Sequence, residues 1–186
     1  KEEGYETLFT EVFKGEAESL TYDNVAKAIG AFERTLITVD RFDKFLAGDD
    51  TAMTETELKG YQTFVQSGCA SCHNGALFGG SMYMKMGLIN AYENSHDLGR
   101  FAVTNNPADK YVFKVPSLRN ITKTAPYFHD GAVAELDEAI AQMAWMQLGR
   151  KLSDQEVSDI VAFLGALENT HTITVKYLNS GAEVGQ

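Results

Sequence analysis

No run of apolar residues in this 186-residue chain approaches the roughly 20 that a membrane-crossing helix needs, so no span is expected. Nor does the chain open on a basic patch followed by an apolar stretch. Its start, Lys1-Glu2-Glu3, carries no secretory leader and reads as that of a mature or truncated product. Basic residues are scarce: 16 Lys and Arg against 26 Asp and Glu leave a formal charge of −10. That balance argues against nucleic acid and anionic lipid, because both require a basic surface. Internal repeats and low-complexity segments are absent, and cysteine is limited to two residues. An apolar fraction of 44% and an aromatic fraction of 11% nevertheless suffice for a core in one domain plus an appendage.

Hydropathy spacing predicts helices over most of what is regular. Residues 4–14 carry Tyr5, Leu8, Phe9, Val12 and Phe13 on one face, with Gly15 as a stop. A second helix is expected over 22–38, capped by Thr21, with Val25, Ala28, Ile29, Phe32 and Leu36 as its stripe. Thr54 and Glu57 form a T-x-x-E capping box, opening a helix over 55–66. Helical spacing returns over 133–147 (Leu136, Ile140, Met143, Gln147), and a second box at Ser153 and Glu156 opens a helix over 154–167. Between Asn74 and Asp130 glycines and prolines break the pattern, and only Tyr111, Phe113 and Val115 alternate like a strand. So long an irregular stretch in a compact domain needs an organiser, and a bound prosthetic group would serve. From His171 the tail alternates through Ile173, Val175 and Tyr177 and is expected as an edge strand or a loose end.

The organiser is named by Cys69-Ala70-Ser71-Cys72-His73, a C-x-x-C-H motif for covalent c-type haem. One short turn must present two sulfurs to the porphyrin edge and one imidazole to the iron, and Gly68 and Gly75 permit the tight path. A thioredoxin-like pair would want a βαβ setting, and zinc would want two further ligands, whereas the chain has no second cysteine pair. The sixth ligand stays open on spacing alone: six methionines compete with His96, His129 and His171. Met82, Met84 and Met86 lie soon after the motif, whereas Met143 and Met146 sit on a helix, where methionine is more often core filling.

Several further segments carry a resemblance. Phe32-Glu33-Arg34-Thr35-Leu36, the stretch Gly68 to Gly75, Gly99-Arg100 and the stretch Phe113 to Asn120 belong to it. So do Thr124-Ala125-Pro126-Tyr127-Phe128-His129-Asp130-Gly131, Gln147-Leu148-Gly149 and Asp159 to Leu164. Over residues 1 to about 168 the chain is similar to the bacterial dihaem cytochrome c peroxidases, and only to their C-terminal, electron-transferring half. The resemblance implies an all-α fold: a helical appendage (1–50), a cytochrome c-like haem domain with long haem-organised loops (51–170), and a tail (171–186). It implies that helix 55–66 crosses helix 154–167 with the haem in the cleft.

It also implies roles. One haem c is held by Cys69, Cys72 and His73, and the sulfur ligand falls at Met143, where cross-link-forming dihaem oxidases resemble the family but carry a tyrosine. A calcium ion sits between the halves in the family, held partly by backbone carbonyls of a T-x-P segment, here Thr124 and Pro126. Arg100 and Arg119 are expected to pair with haem propionates or to brace loops, His129 to face the other haem domain or to settle in its loop, and Trp145 to fill the core. The implied partners are a small cytochrome c or a cupredoxin as donor, the N-terminal peroxidatic haem half, and hydrogen peroxide as substrate of the whole enzyme. A periplasmic protein is implied, and a homodimer is compatible with it. The alternatives are a stand-alone monohaem carrier and a dihaem oxidase.

Overall fold

The structure, a computed structural model, describes residues 4–170 and the short segments 174–176 and 183–185. It divides into two compact units, Lys1–Thr38 with Thr172–Gln186, and Val39–His171.

The first unit holds α1 (Tyr5–Val12) and α2 (Tyr22–Glu33). Thr21 caps α2 by accepting from the Asn24 N–H at 3.2 Å. Asn24, fully buried, donates to Glu16 and to the Ser19 carbonyl and accepts from Lys27, so one amide orders the connection between the helices. α2 ends at Glu33, short of the expected residue 38. The hydroxyl and the N–H of Thr35 both turn back onto the Phe32 carbonyl, and the β-branched run that follows favours extended backbone.

In the second unit a short helix that periodicity did not reveal, α3 (Arg41–Leu46), opens on a capping box made by Asp40 and Asp43. Residues 39–50, which the resemblance put with the helical appendage, pack into this unit, where Phe42 on α3 is 2% exposed in the core. Both expected capping boxes are formed, at the starts of α4 (Glu55–Ser67) and, further on, of the last helix. Between them lie β1 (Tyr83–Lys85), the single turn α5 (Phe101–Thr104), β2 (Val112–Lys114) and α6 (Leu136–Leu148), and the last helix is α7 (Asp154–Ala166). β1 and β2 form an antiparallel pair with Met84 opposite Phe113, which explains the alternation seen only around residue 113. The stretch 74–130 is otherwise turns and single 3-10 turns, as its glycines require.

α4 and α7 cross as expected, and they approach closely because Gly60 faces the backbone of Asp159. Around the crossing, Phe163 meets Phe42, Phe64, Tyr61 and Phe78 with ring centroids 5.1 to 5.8 Å apart. These tilted and edge-on contacts are the preferred aromatic geometry and form the centre of the core. The fold is a mostly helical cytochrome c domain with only short strand pairs. A second pair, β3 (Thr174–Lys176) with β4 (Glu183–Gly185), occurs in the tail, antiparallel with Val175 opposite Val184. His171 and Tyr177 lie outside the described residues.

Candidate functional site

α4 stops at Ser67 because Gly68 takes a left-handed conformation, φ 98°, that turns the chain at once into a 3-10 turn, Cys69–Ser71. The Ser71 hydroxyl bonds the Gly68 carbonyl, the His73 N–H donates to the Cys69 carbonyl at 3.0 Å, and Asn74 bonds the carbonyls of Ala70 and Ser71. The two cysteines are unpaired and half-buried. Burial, the largest influence, pushes the Cys69 thiol up to about 11. A redox-active dithiol needs the opposite, a thiol held low by nearby positive charge or a helix N-terminus. A thiol raised in this way does not fit an oxidoreductase pair.

The imidazole of His73 is oriented from behind. Its Nδ1 lies 3.2 Å from the Phe78 carbonyl. Donation there leaves Nε2 as the free lone pair, the arrangement that fixes tautomer and raises the basicity of a ligating histidine. Burial holds this ring below the usual histidine range, opposed by the Phe78 and Pro116 carbonyls, so it stays neutral. Gly79, at φ 131°, lets the chain pass: a Cβ there would lie 2.0 Å from the Pro116 carbonyl oxygen.

Cys69, Cys72 and His73 line an apolar cavity of about 380 Å³. α6 forms another wall, and its residues at helical spacing, Leu136, Ala139, Ile140, Met143, Ala144 and Gln147, all face the space. A haem fits these residues: thiols and an imidazole on one short turn, and a mostly apolar lining. Met84 and Met86 face the same cavity, because pairing with β2 brings their strand over it. Spacing alone gave no support for the chain after the motif folding back to the cavity; the β1–β2 pairing, a non-local event, does this. Met146 is 4% exposed, a core-filling helical methionine, whereas Trp145, expected in the core, is 42% exposed beneath Lys151.

The arginines brace loops. Arg119 pairs with Asp40 and, at 2.7 Å, with Asp43; it also donates to the Ala76 carbonyl and lies over the Phe78 ring. It thereby ties α3 to the loop that orients His73. For Asp43 burial acts upward, but bonding to Arg119 and to the Asp40 backbone outweighs it and holds the carboxyl low. Arg100 pairs with Asp109 and lies over Tyr83. Neither arginine lines the cavity. His129 does line it, stacked on Phe113 at 4.1 Å, while His96 is exposed and turned away. Thr124 and Pro126 line the cavity rim, where the Thr124 hydroxyl bonds the Ile121 carbonyl. Among the described residues no three His, Cys, Asp or Glu side chains gather to hold a free metal ion, and no helix is long and apolar enough to cross a membrane.

Comparison with known proteins agrees with this geometry. Residues 58–168 match the family model for cytochrome c, and residues 1–51 that for di-haem cytochrome c peroxidase. The chain is 48% identical over 165 residues to the cytochrome c551 peroxidase of Nitrosomonas europaea, covering 88% of this chain and 49% of the relative. Against the cytochrome c551 peroxidase of Pseudomonas aeruginosa it is 45% identical, again over 88% of this chain and 49% of the relative. A crystal structure of a MauG-like protein associated with microbial copper homeostasis superposes with a TM-score of 0.71 at 27% identity, covering 88% of this chain and 58% of that one. The chain spans about half the length of the curated relatives it matches.

Proposed function

The chain belongs to the di-haem cytochrome c peroxidase family, as a cytochrome c domain matching the C-terminal half of its relatives, and we propose that it is the electron-relay half of such an enzyme. The observation that carries this reading is the apolar cavity bounded by Cys69, Cys72 and His73 and by the Met143 face of α6. Cys69 and Cys72 would hold haem c covalently, and His73 and Met143 would ligate its iron. Bound there, the iron supplies one-electron oxidation and reduction, and a methionine sulfur raises its potential relative to a second imidazole.

The chain's own residues do the rest. Phe78 and its neighbours fix the His73 ring, and the α6 stripe and α7 keep water from the site. A rigid helical mount for the sulfur keeps reorganisation between oxidation states small. In the complete enzyme a small cytochrome c or a cupredoxin would reduce this half. The second haem domain would then use two such electrons to convert hydrogen peroxide to water, in the periplasm. Calcium on the Thr124 and Pro126 carbonyls would belong to that complete molecule.

Two measurements test the reading. The haem-loaded chain should exchange electrons with a reduced cytochrome donor yet turn over hydrogen peroxide poorly, since two protein ligands leave the iron no open position. Peroxide turnover by this chain alone at rates on the order of 1–10³ s⁻¹, typical of enzymes, would contradict it. For the ligand, Met143→Ala should abolish the near-infrared sulfur-to-iron band and lower the reduction potential. Met146→Ala and Met84→Ala should retain the band, although the buried Met146 should show a packing loss of about 2–5 kcal/mol. Loss of the band in either control, or its survival in Met143→Ala, would mean that another sulfur is the ligand.

A further inference from the structure

The C-terminal end of α6 is stitched to the chain that leaves β1. The last four carbonyls of a helix have no partner inside it, and here the segment around residue 89 supplies partners. The N–H groups of Ile89 and Asn90 donate to the Met146 carbonyl at 2.9 and 3.1 Å. The Asn90 side chain donates to the Trp145 carbonyl at 2.8 Å. Gln147 makes two more links with one amide: Oε1 accepts from the Leu88 N–H at 2.8 Å, and Nε2 donates to the Lys85 carbonyl at 3.0 Å.

Gln147 stands one turn beyond Met143 on the same face of α6, and both line the cavity. The segment that it grips begins at Met84 and Met86, which line the cavity from the other side of the grip. Gln147 therefore supplies two of the five links that set the spacing between the two walls carrying Met143, Met84 and Met86. The gripped segment has little freedom to adjust: Gly87 is buried at φ 74°, and a Cβ on it would lie 2.6 Å from the Tyr92 nitrogen. The link also demands an amide. It uses an acceptor and a donor at once, a combination that leucine lacks and glutamate supplies only in part.

We propose that Gln147 is a positioning residue: it clamps the Met84–Asn90 segment onto α6, holding Met143 in ligand position and keeping Met84, Met86 and outside ligands from the iron. This rests on the reading of Met143 as the sulfur ligand, and the test separates the two. The probe is imidazole binding to the ferric haem-loaded chain, followed beside the sulfur-to-iron band and the melting temperature.

Gln147→Leu should keep the band at neutral pH but bind imidazole roughly tenfold to thirtyfold faster, the effect of removing two ordinary hydrogen bonds from an opening equilibrium. Gln147→Glu, which keeps the bond from Leu88, should fall between wild type and Gln147→Leu. Asn90→Ala, which removes one stitch outside the cavity, should give a few-fold increase and carries the test should the leucine variant fail to fold. Wild-type imidazole rates in the Gln147 variants, even with a lowered melting temperature, would overturn the clamp, since a merely structural amide would behave that way. Survival of the band in Met143→Ala would instead overturn the ligand reading, while the imidazole rates still judged the clamp.

Discussion

Replacing Cys69 and Cys72 together by alanine is expected to leave no covalently bound haem, and acid–acetone extraction of the purified protein should remove all of the pigment. Either single replacement should leave one thioether and a poorly matured product. The argument begins in the turn that Gly68 starts: the 3-10 geometry of Cys69–Ser71 and the bond from His73 N–H to the Cys69 carbonyl place thiols and imidazole on one short loop. Loss of the haem reaches further than the loop. The cavity of about 380 Å³ is lined by Phe64, Ile160, Leu164 and the apolar stripe of α6. Without the haem this apolar lining would face water, and the fold would lose the apolar burial that the ring supplies. The double variant should therefore lose cooperative thermal unfolding as well as colour. Retention of haem after extraction, or a haem-free chain with a wild-type melting transition, would contradict the assignment of this cavity.

Much of the site was readable because its chemistry is local. Two thiols and an imidazole within five residues, and the boxes Thr54/Glu57 and Ser153/Glu156, each involve neighbours in sequence; both boxes are formed, and the thiols and imidazole lie on one short turn. What escaped depends on residues far apart in the chain. α3 is too short for periodicity to register, and its box uses two aspartates in place of the Ser/Thr–Glu pattern. Arg119 has carboxylate partners on that helix, so its loop-bracing role could not be separated from a propionate role by inspection of its own neighbourhood. Met84 and Met86 reach the cavity only through pairing with β2. On α6 Trp145 is exposed where core packing was expected, because a helix with apolar residues around much of its circumference gives periodicity little contrast. Gly60 carried no signal either, since a glycine within a helical stretch reads as a weakness until the partner helix is known.

That glycine supports the second large effect: Gly60→Ala should destabilise the haem-loaded protein by about 3 kcal/mol, whereas Gly165→Ala should stabilise it slightly. Both residues lie in helices, Gly60 in α4 and Gly165 in α7. On propensity alone each replacement gains up to about 1 kcal/mol, because glycine loses the most backbone freedom on folding. Surroundings reverse the sign at one of them. A Cβ on Gly60 would lie 1.9 Å from the Asp159 carbonyl oxygen and 2.9 Å from both the Asp159 carbonyl carbon and the Phe163 Cβ. The first two of these atoms are backbone, so no rotamer change relieves the contact and the helices must separate. Separation at that point pulls Phe163 from Phe64 and Phe42, whose rings now lie 5.2 and 5.5 Å away. It also widens one side of the cavity that Phe64, Ile160 and Leu164 line. A Cβ on Gly165 meets nothing within 4 Å. Urea unfolding of the two variants against wild type decides the matter. Equal midpoints for Gly60→Ala and wild type would mean that the α4–α7 crossing is not set by this contact, and a fall for Gly165→Ala would mean that propensity is the wrong baseline for either.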